Sequence, residues 1–170
     1  MHLLNASAVG WVHYFRAEYD AALRQLDDAL EMDRSFALSH LYRGWVLEMV
    51  GRKEEALQAL EHAVQYGGRV PLTLAHLAHG QARFGDRAAA RELLRELHAF
   101  GATRYVSSYL EALVHVALED ADAAFAALER AVAERAHFLV FAEIEPKLDP
   151  LRGDPRFAAL MQRIAASRPR

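Results

Sequence analysis

Four columns of small or apolar residues recur in this chain at an interval of 34. Ala22, Ala56, Ala90 and Ala124 form one, and Leu26, Leu60, Leu94 and Leu128 a second. Ala29, Ala63, Leu97 and Ala131 form a third; Gly10, Gly44, Ala78 and Ala112 form a fourth. A register held through four copies constrains the fold more than any other feature. Each copy is one supersecondary unit that buries its apolar face only by stacking on the next.

Within each copy the pattern divides into two helical segments of about 14 residues. The breaks between them read "FRAEYD", "MVGRKE", "RFGDRA" and "ALEDAD", polar or Gly-containing stretches suited to a tight helix–helix turn. In the second segment, residues such as Ala56, Leu60 and Ala63 follow at i, i+4 and i+7 and share one helical face. Small residues in these columns let the paired helices approach closely. A bulky side chain at Gly44 or Ala56 is therefore expected to overpack the crossing, at roughly 1–3 kcal/mol. The chain of 170 residues is 53% hydrophobic and 25% charged, and it is rich in Ala, Leu, Arg and Glu, all good helix formers.

"YDAALRQLDDALEMD" (residues 19–33) and "KEEALQALEHAV" closely resemble the tetratricopeptide repeat (TPR) family. The resemblance covers residues 3–134, in repeats of about 3–36, 37–70, 71–104 and 105–134. The usual proline after the second helix is Arg34 in the first copy and Gly68 in the second, and Leu97 replaces a small residue in the third. The ending "LDPLRGDPRF", preceded by Tyr105 to Tyr109 ("YVSSY"), resembles the close of bacterial TPR arrays attached to transcriptional regulators, adenylate cyclases or Ser/Thr kinases. The implied fold is all-α: a right-handed TPR superhelix, or α-solenoid, of four helix pairs. A C-terminal connector and capping helix follow within 135–170, all in one domain.

Charge and composition exclude several functions. The net charge is −3, lysine occurs only at positions 53 and 147, and no basic run exists, so direct nucleic-acid binding is not expected. There is no cysteine, hence no disulfide framework, thiolate zinc site or cysteine nucleophile. No apolar stretch reaches the ~20 residues that span a bilayer, and the N-terminus lacks a signal-peptide pattern. A cytoplasmic protein away from membranes is the expectation.

Catalytic and metal chemistry find little support. His76 and His79 stand three apart on one predicted helix, but a metal site needs three or four convergent ligands. Ser107 and Ser108 fall where a helix cap is expected. Glu143 and Glu145 read as solvated or capping carboxylates in preference to an acid–base pair. No enzyme activity, cofactor or metal is expected. Asp149-Pro150 reads as the start of a short turn and Asp154-Pro155 as the start of the last helix, since Asp is a favoured N-cap and Pro suits the first helical position. This gives Arg152-Gly153-Asp154 a capping role instead of an adhesive one.

The TPR resemblance implies that the first helices line a concave groove. In this register the groove residues are Trp11, Tyr14, Phe15, Leu41, Trp45, Glu48, Met49, His79, Arg83 and Tyr109. The aromatic N-terminal half suits an apolar or amphipathic segment of a protein or peptide partner. The alternatives are a homodimer through the groove or through the N-terminal edge at Leu3 and Leu4, or a ligand-sensing domain of a larger signalling protein.

Overall fold

The structure is a computed structural model describing residues 3–166. Among the described residues the chain is helical throughout, and the 34-residue interval reappears in the element boundaries. The first helices of successive pairs are α1 (Leu3–Phe15), α3 (Ala37–Met49), α5 (Pro71–Arg83) and α7 (Ser108–Ala117). The second helices are α2 (Tyr19–Met32), α4 (Lys53–Gly67), α6 (Arg87–Gly101) and α8 (Ala121–Ala133). Each packs on its sequence neighbour, and α1, α3, α5 and α7 also pack side by side.

The turn inside each pair is built the same way. Ala17, Gly51, Gly85 and Glu119, again 34 apart, all take positive φ, at 56°, 74°, 100° and 60°. The following N–H then reaches back five residues: Glu18 to the carbonyl of His13, Arg52 to Leu47, Asp86 to Gln81 and Asp120 to His115, at 2.8–3.0 Å. This is the Schellman closure, which satisfies carbonyls left open at a helix end. Two of the four positions carry a Cβ in a backbone region that favours glycine. Asp86 and Asp120 then cap the second helices, accepting from the N–H of Ala89 and Ala123.

The expected helix crossings are present. A Cβ built on Gly10 would lie 2.6 Å from Leu26 Cγ, and one on Gly44 would lie 2.7 Å from Leu60 Cγ. Leu26, Leu60 and the alanines of the repeat columns are buried. One apolar core runs from α1 into α7, and a second joins α7 and α8 to the C-terminal segment.

That segment turns back after α8. Two 3-10 helices, His137–Phe141 and Pro146–Leu151, cross the face made by the first helices before α9 (Pro155–Ala166) packs on α8. Asp154 accepts from the N–H of Arg156 at 2.9 Å, and Pro155 opens α9, as the Asp-Pro pair predicts. Phe157, Leu160 and Ile164 form its buried face. The short turn expected at Asp149-Pro150 falls inside the second 3-10 helix, which begins earlier, at Pro146.

Candidate functional site

The face shared by the first helices is an aromatic floor. On α1, Trp11, Tyr14 and Phe15 fall at i, i+3 and i+4 and so lie on one side of the helix. Trp11 meets Phe15 edge-on at 5.1 Å, and Tyr14 approaches Trp45 of α3 at 5.6 Å. Trp45 in turn lies 4.3 Å from the ring of His76 on α5. The connector covers this floor with aromatic rings of its own. Phe141 stacks on Phe15 (5.3 Å, 18° between planes) and meets Trp11 edge-on at 4.9 Å. Phe138 stacks on Tyr109 of α7 at 6.1 Å.

Beyond the rings the connector makes a buried polar network. Tyr14 Oη donates to Glu145 Oε1 at 2.6 Å, and the same oxygen accepts from the Lys147 N–H at 3.1 Å. Lys147 Nζ is ion-paired with Glu48 of α3, and both side chains are fully buried. His79 Nδ1 lies 3.0 Å from Glu48 Oε2 and 3.2 Å from Lys147 Nζ. That one nitrogen either donates to the carboxylate or accepts from the ammonium. Arg83 Nε donates to the backbone carbonyl of Glu48 at 3.2 Å.

Burial works against ionisation of Glu48, but Lys147 and His79 beside it prevail and hold its carboxyl at about 2. Glu145 goes the other way: burial raises it, and the hydrogen bond from Tyr14 and the charge of Lys147 offset this only in part. Burial, followed by the charge of Glu145, lifts the Tyr14 phenol well above its ordinary value. Burial and the charge of Lys147 lower both His76 and His79, which favours neutral imidazoles.

The structure gathers most of the residues read as groove-lining, and it also covers them. Tyr14, Trp45, Glu48, His79 and Tyr109 are buried beneath the connector, while Trp11, Phe15 and Met49 are half-buried. Leu41 belongs to the core, and Arg83 remains exposed. Ser108 Oγ donates to Glu134 Oε1 at 2.6 Å, near the start of α7 where a cap is expected. Among the described residues no three His, Asp or Glu side chains are placed to hold a metal ion. No helix there is long and apolar enough to cross a membrane.

No family model matches the chain, and no curated protein matches it in sequence. The site therefore stands on its own geometry. Sequence reasoning took Glu145 for a solvated or capping carboxylate; it does cap the second 3-10 helix by accepting from the Lys147 N–H, but it is buried and also accepts from Tyr14. Lys147 it passed over. One signal was available: lysine is almost absent from the chain, and Lys147 stands in a stretch where two prolines break any helical period. Its partner was not legible, because Glu48 lies 99 residues away.

Proposed function

We propose that this chain is a TPR-type array acting as a protein-interaction module, and that it recognises an apolar or amphipathic helical segment along the face of its first helices. The observation that carries this reading is the connector itself. Phe138 and Phe141, three residues apart, seat their rings against Tyr109, Trp11 and Phe15 as two anchors of a bound segment would. The connector thus occupies part of this face in cis. Beside it, towards the start of the first helices, lies an apolar cleft of about 380 Å³ bordered by Leu4, Leu38, Tyr42 and Leu72 and by Phe138 and Phe141 of the connector. A partner segment with two apolar anchors on one helical face extends the contact the connector has begun.

Selection from a random peptide library on the immobilised chain tests this. Peptides with aromatic or large apolar residues three or four apart are expected to be enriched. A folded Leu4→Glu, Leu72→Glu variant is expected to bind them about tenfold more weakly or worse, as for hot-spot loss. Equal binding by that variant would sink the reading.

Self-association is the second reading, and one observation favours it. Leu4, Ala8 and Val12, at i, i+4 and i+8, form an exposed stripe on α1, with Val9 exposed beside it. The side chain of Leu3, which the N-terminal-edge expectation also includes, lies outside the described residues. Sedimentation over a range of concentrations separates the readings: a strict monomer at high concentration excludes pairing through this stripe.

A further inference from the structure

Glu48 is a buried carboxylate with two basic neighbours on different parts of the chain. Lys147 Nζ of the connector and His79 Nδ1 of α5 both approach its Oε2 atom, His79 at 3.0 Å. Its Oε1 makes no hydrogen bond within the protein and lies against Gly80, 2.9 Å from the place of a Cβ there. Lys147 and His79 therefore converge on one oxygen, and their nitrogens stand 3.2 Å apart. All three side chains are buried, so two positive charges at that spacing cannot both be neutralised by one carboxylate.

The competition falls on a seam between two cores. The buried apolar residues of the connector, Leu139, Ala142, Leu148 and Leu151, belong to the core of α7, α8 and α9. The connector is joined to α1 and α3 by the ring of Phe141 on Trp11 and Phe15, by the hydrogen bond from Tyr14 to Glu145, and by the Lys147–Glu48 pair. A buried ion pair adds little net stability, and α5 carries a substitute for Lys147. With a proton on His79, Glu48 keeps a counterion and Lys147 becomes a surplus buried charge. Arg83 of α5 opposes that proton by its own charge. His76 of α5, Tyr14 of α1 and Glu145 of the connector also lie within electrostatic reach of the triad. Glu119, of the turn between α7 and α8, borders a cleft of about 270 Å³ beside His79 and Lys147.

We propose that Glu48 exchanges counterions, and that proton uptake by His79 releases Lys147 and opens the seam between the connector and the first helices. The helices stay folded, the connector remains with α7, α8 and α9, and the aromatic floor of α1 and α3 is uncovered. The sign follows from proton linkage. In the closed seam, burial and then the charge of Lys147 lower His79 from its ordinary 6.5, so the closed form binds fewer protons than the open one. Closure is fully favoured above about pH 6.5 and is lost as pH falls from there through the lowered value. His76, lowered in the same way, adds to the effect, and Glu145, raised in the closed form, opposes it. Glu48 itself, held at about 2, stays ionised throughout. This goes beyond the segment-docking reading, because acidity then sets how much of the face a partner can reach.

Both tryptophans of the chain lie at the seam, Trp11 against Phe141 and Trp45 beside Tyr14 and His76, so quenching of their fluorescence by acrylamide, a neutral probe, reads its opening. On the full chain, quenching is expected to rise as pH falls from about 8 to about 5 while far-UV circular dichroism stays constant. His79→Gln is expected to move the midpoint of that rise down by about half a pH unit or more, since one of the linked protons is gone. Imidazole NMR of Lys147→Met is expected to place the titration of His79 about one unit or more above that of the parent, because His79 is then the only counterion of Glu48. Adding Glu48→Gln to that variant is expected to lower it again by about as much. The inference is overturned by constant quenching, by quenching that rises only with loss of helix, by an unchanged midpoint in a folded His79→Gln chain, or by a His79 titration that Lys147→Met leaves in place. No protein partner enters the experiment, so its failure leaves the segment-docking proposal untouched.

Discussion

Lys147 of the C-terminal connector and Glu48 of α3, 99 residues apart, form an ion pair in which neither side chain reaches solvent. Such a pair contributes little net stability against a well-packed apolar replacement, but breaking it leaves a buried charge uncompensated. Lys147→Met alone is therefore expected to cost about 3–5 kcal/mol in urea unfolding. The double variant Lys147→Met, Glu48→Leu is expected to recover most of that loss. A single variant as stable as the parent would refute the account.

The two buried carboxyls push stability in opposite directions as pH changes. Glu48 is held near 2 in the fold against an ordinary value of 4.5, so its contribution is complete above about pH 4.5 and is lost as pH falls towards 2. Glu145 is raised, so its contribution is complete below its ordinary value and is lost as pH rises through its folded one. Glu145→Gln keeps an acceptor for Tyr14 while removing the buried charge. It is expected to raise the melting temperature at pH 7 and to abolish the alkaline decline, leaving the acid loss in place. Thermal melts from pH 2 to pH 8 check both limbs.

Ala17 occupies at φ 56° a position that is glycine in the second and third copies. Ala17→Gly relieves a left-handed Cβ clash but adds freedom to the unfolded chain. The net expectation is stabilisation by roughly 0.5–1 kcal/mol. Gly51→Ala, the converse change, is expected to destabilise by about the same amount.

Gly44 tests the helix crossing. Any Cβ there meets the buried side chain of Leu60 at 2.7 Å. Gly44→Val is expected to cost roughly 1–3 kcal/mol despite the better helix propensity of the new residue. Chemical denaturation supplies the measurement, and a neutral result would mean that Leu60 repacks freely.

Phe141 holds the connector against α1. Phe141→Ala removes one stacked and one edge-on ring contact, each worth about 0.5–1.5 kcal/mol. It is expected to lower stability by about 1–3 kcal/mol and to shift tryptophan emission to longer wavelength as Trp11 gains water. An unchanged emission spectrum would show that the connector does not shield the floor.

Most of the helical framework was legible because it is local. Helix periodicity, the breaks between paired helices and the Asp-Pro start of α9 depend on residues a few positions apart. The 34-residue columns extend that local order through four copies, and the close approach of Gly44 to Leu60 follows from them. Even the aromatic floor was readable, since Trp11, Tyr14 and Phe15 share a helix face whatever lies above them.

What covers that floor was decided only in three dimensions. The pattern of the connector is irregular, with two prolines among apolar and charged residues, and carries no helical or strand period to orient it. Whether Lys147 meets solvent or Glu48 depends on a chain reversal after α8, and whether Glu145 is a surface cap or a buried acceptor depends on where Tyr14 already stands. Those pairings join residues 99 and 131 positions apart. Local pattern determined the helices and the face they share; desolvation of a few charged and aromatic groups, which exists only once distant segments pack, determined how that face is filled.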